Sequence, residues 1–241
     1  MILEQIREDL LPHVDRQYGD GFEKYFKGEV KTLGVRIPIV RKIANKHYKQ
    51  VKHLPKQEVY SLAEELMKSK YNEERHIGIS WVRKMHKQYE KKDFKTFEKW
   101  IDKHFDNWGL IDDFCTHAMH DLIVKYPELV PRVKAWAKSK NMWLRRASAV
   151  SFITTDKSYY VVNHNLEDVF EVAEALLTDE EDLVQKGYGW MLKAASLGNQ
   201  KKVYEFVLEH KHKMPRTALR YAIEHMPKDM KKKAMSRGEQ T

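Results

Sequence analysis

Two residues with complementary chemistry stand four positions apart in the segment Asp106–Ile123. Trp108 supplies an indole and Asp112 a carboxylate, and this spacing places both side chains on one face of an α-helix. An indole face attracts cations, and a fixed carboxylate stabilises positive charge that develops in a reaction. Asp113 follows directly and is an alternative candidate for the catalytic carboxylate. Either acid can interact favourably with the helix dipole near the N-terminus while the other takes part in the reaction. The sequence predicts a functional site here.

Aromatic residues also stand beside cations at two later helix starts. Trp143 precedes Arg146 by three residues, and Trp190 follows Lys186 by four. Trp143 has the simpler interpretation of a core anchor. A double arginine, Arg145 with Arg146, is unusual at a helix start because the dipole disfavours cations there, so the pattern predicts an external anion beside it.

The charge of the chain indicates a polyanionic partner. Forty-four Lys and Arg against 35 Asp and Glu give a formal charge of +9 and a pI near 9.3, which attracts nucleic acid first, although plain solubility is the alternative. The single cysteine, Cys115, excludes an internal disulfide framework and fits a reducing compartment. With neither a signal peptide pattern nor a run of about 20 apolar residues, we expect a soluble cytoplasmic protein.

Metal and cofactor chemistry has little support in the sequence. His117 and His120 are three residues apart near Cys115, but a helical pair alone is not a metal site. A phosphate-binding glycine loop is also missing from the sequence. We therefore expect neither a metal nor a cofactor.

The elements that must position these residues are helices. Apolar residues recur at helical spacing along the chain, and Asp106 or Asn107 can cap the helix that carries the site. Paired helices at a rhythm of roughly 40 residues predict an all-α, HEAT-like helical-repeat solenoid with a concave basic face. Because no Gly-rich or Ser-rich stretch marks a linker, the sequence predicts one domain over residues 1–241, with a frayed basic tail from about residue 229. Tyr159 to Val162 has strand-like composition but no pairing partner, and is interpreted as a loop.

Four segments, taken in order, resemble the AlkD-like DNA alkylation repair glycosylases, a family built from HEAT-like repeats. The four segments are Tyr25 with Leu33–Pro38, Asn107–Asp112, Asn141–Ala147 and Val184–Trp190. They are similar to the family's opening Tyr and Leu-Gly-Ile-x-x-Pro, its Trp-x-x-x-Asp, its Trp-Leu-x-Arg-Ala and its Gln-Lys-Ala-x-Gly-Trp. The likeness covers residues 25 to 224.

The resemblance implies a role for each matched residue. Asp112 would be the catalytic carboxylate, and Trp108 and Trp190 would form aromatic walls around the lesion. Arg146 would contact backbone phosphate, and Tyr25 would line the cleft. Further expected phosphate contacts are Arg36, Arg145, Lys186 and Arg220, with Lys42, Lys46, Lys193 and Arg216.

The chain departs from the family pattern at three positions. Asp113 adds a second acid, which can move the catalytic assignment by one residue. Gly187 stands where alanine is usual, and Arg36 replaces an uncharged polar residue, which can change DNA contacts or selectivity.

Together these features predict a monomeric, monofunctional DNA glycosylase that hydrolyses N3- or N7-alkylated purines in duplex DNA. The resemblance implies a grip on sugar and backbone, not a base-binding pocket. The alternatives are a non-catalytic helical-repeat module that binds damaged or branched nucleic acid, and a scaffold that binds an acidic protein.

Overall fold

The computed structural model describes residues 2–26, 30–153 and 166–236 of the chain. Helices joined by short loops make up most of these residues, together with one isolated β-bridge between Lys31 and Tyr71. The predicted all-α class is confirmed. The segment Tyr159 to Val162 lies outside the described residues.

Packing divides the chain into two compact units, Met1–Phe114 and Cys115–Thr241. The helices of the first unit are α1 (Ile2–Leu10), α2 (Arg16–Tyr25), α3 (Ile37–Val51), α4 (Lys56–Met67), α5 (Asn72–Lys84), α6 (Asp93–His104) and α7 (Trp108–Phe114). Those of the second are a π-helical turn (Cys115–Met119), α8 (His120–Lys125), α9 (Val130–Ala135), α10 (Met142–Val150), α11 (Leu166–Ala175), α12 (Asp182–His210, kinked at Asn199), α13 (Arg216–Ala222) and α14 (Lys228–Met235).

Within each unit, neighbouring helices alternate between two rows. In the first unit α3, α5 and α7 pack side by side, α4 packs on α6, and α4 lies against α5. In the second unit α9 packs on α11, α10 packs on α12, and α11 lies against α12. This alternation is the packing of a HEAT-like helical repeat, in which each helix pair buries its apolar side against the next pair.

Buried aromatic side chains join α5 to α3 and α7 to α6. The Trp81 indole N–H of α5 donates to the Ala44 carbonyl of α3 at 3.0 Å. Phe114 of α7 packs edge-on against Phe97 and Trp100 of α6, with ring centroids 5.1 and 6.2 Å away. These contacts fix the positions of α5 and α7, the helices that carry Asn72–Lys84 and Trp108–Phe114.

A buried carboxylate anchors the loop between α2 and α3. Glu73 accepts hydrogen bonds from the backbone N–H groups of Leu33 and Val35, each at 3.0 Å. Between them Gly34 has a φ of +81°, and a Cβ there would lie 2.1 Å from the Asp15 carbonyl oxygen. Only glycine fits this turn, because both its backbone conformation and its surroundings exclude a side chain.

The basic C-terminal segment is helical from Lys228 to Met235, at the position where the frayed tail was expected to begin. Ala234 of α14 is buried, and the Lys211 ammonium donates to the carbonyl oxygens of Lys233 at 3.1 Å and Ser236 at 2.8 Å. These bonds satisfy carbonyl groups that the end of a helix leaves without partners.

Candidate functional site

The start of α7 is fixed by a side-chain cap. The Asn107 Oδ1 accepts a hydrogen bond from the Leu110 N–H at 3.1 Å, and Asp106 pairs with Arg75 at 2.7 Å. The predicted cap is confirmed at Asn107. Leu110 and Phe114 are fully buried, so the apolar side of α7 faces the core and the Trp108 side remains for function.

Trp108 lies among aromatic rings of α2 and the residue that follows it. The Phe26 ring stacks on the indole, with centroids 4.9 Å apart and planes at 12°. The Tyr25 ring meets it edge-on at 6.0 Å and is 70% exposed. The structure therefore brings together two predicted site residues, Tyr25 and Trp108. Because Phe26 covers one indole face, a ligand reaches Trp108 from the other face or its edge.

A cavity of about 290 Å³, the aromatic cavity, opens beside Trp108 within the first unit. The aromatic residues of its lining are Phe22, Tyr25, Phe26 and Trp108. The polar and charged residues of its lining are Arg41, Asn72, His76, Ser80, Arg83 and Asp113. Helices α3, α5 and α7, which form one row, supply all six of these polar and charged residues.

The two adjacent acids of α7 have different surroundings. Asp113 lines the aromatic cavity, where its Oδ2 lies 2.8 Å from the His76 Nδ1 and its Oδ1 accepts from Arg83 at 2.8 Å. Asp112 is half-buried and lies outside the cavity lining. Successive residues of a helix point about 100° apart, so Gly109 and Asp113 face the cavity while Asp112 follows the edge that carries Trp108.

The polar stripe of α5 is the part of this site that sequence reasoning missed. Asn72, His76, Ser80 and Arg83 follow one another at spacings of four, four and three, which places them on one helix face. The signal was present in the sequence, but a polar stripe on a helix is usually a solvated face. Only the packing of α5 between α3 and α7 turns this stripe toward a cavity.

In the second unit, Arg146 lies close to both segments that resemble the glycosylase family, Asn141–Ala147 and Val184–Trp190. It is 4% exposed, and its guanidinium donates to the Leu183 carbonyl at the start of α12. A Cβ on Gly187 would lie 3.3 Å from the Arg146 Cγ. Glycine at this position, in place of the family's alanine, leaves room for the arginine. A phosphate contact by Arg146 stays a prediction.

The sequence predicts an anion beside the double arginine. For Arg145 this anion is the Asp179 carboxylate. The Arg145 Nε donates to Asp179 at 2.6 Å, and its NH1 donates to the Ser139 carbonyl at 3.0 Å. Its side chain is 19% exposed. The expectation of an external anion is therefore wrong for Arg145, because Asp179 of the same chain pairs with it.

The glycines before Trp190 also have a structural explanation. A Cβ on Gly189 would lie 2.7 Å from the Tyr221 Cβ and 2.8 Å from the Ala218 carbonyl, so glycine allows α12 and α13 to approach closely. Trp190 itself is half-buried in α12, and Lys186 pairs with Asp182 at 2.5 Å.

Some of the other predicted phosphate contacts are exposed, and some already bind acidic groups or carbonyl oxygens of the protein. Arg36 pairs with Asp15 at 3.3 Å and lies over the Tyr18 ring at 4.5 Å, while its side chain remains 60% exposed. Arg220 is exposed on α13. Three more cations bind the protein itself: Lys46 pairs with Asp9, Lys193 pairs with Glu224, and Arg216 donates to the Met235 carbonyl. Lys42 is exposed on α3.

The histidine pair considered for a metal has other contacts. The His120 Nδ1 lies 3.2 Å from the Ser151 carbonyl, and the His117 Nδ1 lies 3.1 Å from the Thr116 hydroxyl. Within the described ranges, three or more potential metal ligands do not cluster anywhere. In the same part of the chain, every helix is too short or too polar to cross a bilayer.

A family model described as DNA alkylation repair enzyme matches residues 6–226. The chain is similar to the structure of a predicted DNA alkylation repair enzyme from Enterococcus faecalis, with 17% identity, a TM-score of 0.79, and coverage of 88% of this chain and 96% of that one. Among curated protein sequences, none matches.

Two further solved structures share the fold. The protein smu.31 from Streptococcus mutans UA159 is 22% identical, with a TM-score of 0.53 and coverage of 78% of this chain and 86% of that one. The alkylpurine DNA glycosylase AlkC of Pseudomonas fluorescens, bound to DNA containing an abasic site analog, is 15% identical, with a TM-score of 0.51 and coverage of 92% of this chain and 61% of that one. At these identities the likeness shows the fold alone.

Proposed function

The chain belongs to the family of DNA alkylation repair enzymes, and on that premise we propose that it is a DNA glycosylase acting on N3- or N7-alkylated purines in duplex DNA. The observation that carries this proposal is the Trp108–Asp112 pair. It lies inside the matched region, on the helix edge that adjoins Tyr25 and a cavity with aromatic and guanidinium groups.

The chemistry requires few groups from the protein. A purine alkylated at N3 or N7 carries a positive charge, so the electron pair of the breaking C1′–N bond neutralises it and the base departs without a general acid. The sugar becomes oxocarbenium-like as the bond breaks. The Asp112 carboxylate stabilises that charge and orients the water that adds to C1′, and the water's proton passes to the carboxylate or to solvent.

We assign this role to Asp112 because it stands four residues after Trp108 on the same edge of α7. Both oxygens of Asp113 are engaged by side chains of α5, His76 and Arg83. Moving that carboxylate to a sugar would break two charge-assisted contacts. Asp112 instead continues the edge that starts with Trp108, whose indole attracts a cationic purine by about 0.5 to 2 kcal/mol.

The protein is further proposed to bind duplex DNA through exposed cations and to leave an abasic site. Arg36 and Arg220 are exposed and supply phosphate contacts. We assign no Schiff-base step to Lys186, which is ion-paired with Asp182 at 2.5 Å. The AlkC structure bound to abasic DNA supports DNA as the partner.

The test is the release of free 7-methylguanine from a duplex that contains one such base, followed by chromatography. We expect released base and an intact strand that breaks only after alkali treatment. Salt-dependent binding of the duplex without any base release would instead identify a non-catalytic DNA-binding module. If the protein neither binds the duplex nor releases the base at moderate salt, the remaining alternative is a scaffold that binds an acidic protein.

A further inference from the structure

A second cavity of the first unit, which we call the cationic cleft, is lined mainly by positive charge. It lies where α4 and α6 end and α5 and α7 begin, and its volume is about 400 Å³. One carboxylate, that of Asp106, lines it together with five cations: Lys31, Lys68, Lys70, Arg75 and Lys103. None of these five belongs to the phosphate contacts predicted from the sequence.

Arg75 places a fixed positive charge in the cleft. The residue is 6% exposed, its NH1 pairs with Asp106 at 2.7 Å, and its NH2 donates to the His104 carbonyl. The buried Arg75 Nε has no acceptor among the described residues. Because a guanidinium stays charged and is already held in place, an anion that enters the cleft meets a charge that needs no further ordering.

The lysines of the cleft are exposed, so their ammonium groups can turn toward a ligand. Three of them have an acidic neighbour on the surface: Lys31 with Glu23 at 3.8 Å, Lys68 with Glu65 at 2.7 Å, and Lys103 with Asp102 at 2.7 Å. Ion pairs between exposed side chains stabilise a protein little, and a phosphate can therefore replace them. Long, flexible ammonium groups suit a polyanion that passes over the surface.

The cleft lies close to the Trp108–Asp112 edge. Asp106 lines the cleft and Trp108 follows two residues later, so their Cα atoms are at most about 7.6 Å apart. The Asn107 amide between them donates to the Asn72 side chain at 3.4 Å, which connects the start of α7 to the start of α5. Since nucleotides follow one another at about 3.4 Å along a duplex, DNA at Trp108 brings a nearby phosphate to the cleft.

We propose that the cationic cleft binds a backbone phosphate of duplex DNA within a few nucleotides of the damaged one. The position of the damaged nucleotide rests on the proposed function, whereas the recognition of phosphate does not. Because the cleft binds backbone and not a base, it agrees with the grip on sugar and backbone that the family resemblance implies. It adds a defined phosphate site on the first unit to that grip.

The test compares two double variants that each remove two positive charges from exposed positions. Lys70→Gln/Lys103→Gln changes the cleft, and Lys49→Gln/Lys52→Gln is the matched control. The control residues lie where α3 ends, just before α4, and the 12 residues of α4 place the cleft about 18 Å away at its other end.

Fluorescence anisotropy at several salt concentrations measures binding to a duplex that carries an uncleavable abasic-site analog. We expect the slope of log K against log salt to be smaller by about 0.9 in the cleft variant than in the control, because one phosphate contact is lost. A series of duplexes, each with one phosphate near the analog replaced by an uncharged methylphosphonate, then locates the contact. One replacement should weaken binding of the wild type and the control but not of the cleft variant.

The outcomes separate this inference from the proposed function. Equal slopes and the same methylphosphonate pattern in both double variants, with native circular dichroism, overturn the cleft as a phosphate site. If the wild type then releases 7-methylguanine from DNA, the glycosylase function stands alone. A smaller slope in the cleft variant together with a lost methylphosphonate effect, but without base release by the wild type, supports the cleft and rejects the glycosylase. A wild type that does not bind the duplex at all rejects both.

Discussion

Adjacent acids on α7 have different surroundings. Asp113 belongs to a His–Asp–Arg cluster with α5, while Asp112 stands four residues after Trp108 on the same edge of the helix. The sequence offered both acids and left the choice open. The direction in which each side chain leaves the helix distinguishes them, and this depends on how α7 packs against α5.

Trp108 is expected to select damaged DNA. Trp108→Leu should reduce the preference for a duplex with cationic 7-methylguanine over the undamaged duplex by about 2- to 30-fold, because a cation–π contact of about 0.5 to 2 kcal/mol is lost. The ratio of the two Kd values measures this. Trp108→Phe keeps an aromatic face and should retain part of the preference. An unchanged ratio in Trp108→Leu would show that the indole does not contact the lesion.

At the scale of elements, the loop before α3 depends on Glu73. Replacing this buried acceptor by Gln puts an amide N–H₂ where an oxygen accepts backbone hydrogen bonds. We expect Glu73→Gln to lower the free energy of unfolding by about 1 to 3 kcal/mol. Urea titration measures the change, and Glu58→Gln, at an exposed position on α4, is the control. Equal stability of both variants would contradict the anchoring role.

The contact between α4 and α6 is expected to depend on pH through Glu64. Burial alone raises the pKa of this carboxyl, but hydrogen bonds from Lys99 at 2.8 Å and His104 at 3.0 Å outweigh it and lower the pKa from 4.5 to about 2. A carboxyl with a lowered folded pKa stabilises the protein above its unfolded pKa and loses that effect as the pH falls.

Glu64→Gln should therefore lower the free energy of unfolding by about 1 to 3 kcal/mol at pH 7, and the difference from wild type should shrink between pH 4.5 and pH 2. Denaturant titrations at several pH values measure this difference. A difference that stays constant over that range would show that the ion pairs of Glu64 do not contribute.

At the scale of the whole molecule, the net charge of +9 is predicted to make DNA binding strongly salt-dependent. Individual arginines should contribute unequally. Arg220→Ala should reduce the slope of log K against log salt by about 0.9, because an exposed cation releases one counterion equivalent. Arg145→Ala should leave the slope unchanged and lower the Tm, because Arg145 already pairs with Asp179. An unchanged slope in Arg220→Ala together with a reduced slope in Arg145→Ala would show that Arg145, and not Arg220, contacts phosphate.

Helical periodicity was sufficient to predict the all-α fold, and residue types limited the cap of α7 to Asp106 or Asn107, of which the structure shows Asn107. Neither revealed the two packing units, the helix at Lys228–Met235 or the aromatic cavity. These features depend on contacts between residues distant in sequence, such as His76 with Asp113 and Lys211 with Ser236. Local patterns identify which face of a helix is polar, but packing decides what that face meets.

The most direct test of the central claim is single-turnover release of 7-methylguanine from duplex DNA by wild type, Asp112→Asn and Asp113→Asn. With Asp112 as the group that stabilises the sugar's positive charge, Asp112→Asn should release the base roughly 100-fold more slowly or worse, with duplex affinity retained. Asp113→Asn should slow the release of the base less than Asp112→Asn does. Release by Asp112→Asn at the wild-type rate would contradict the account.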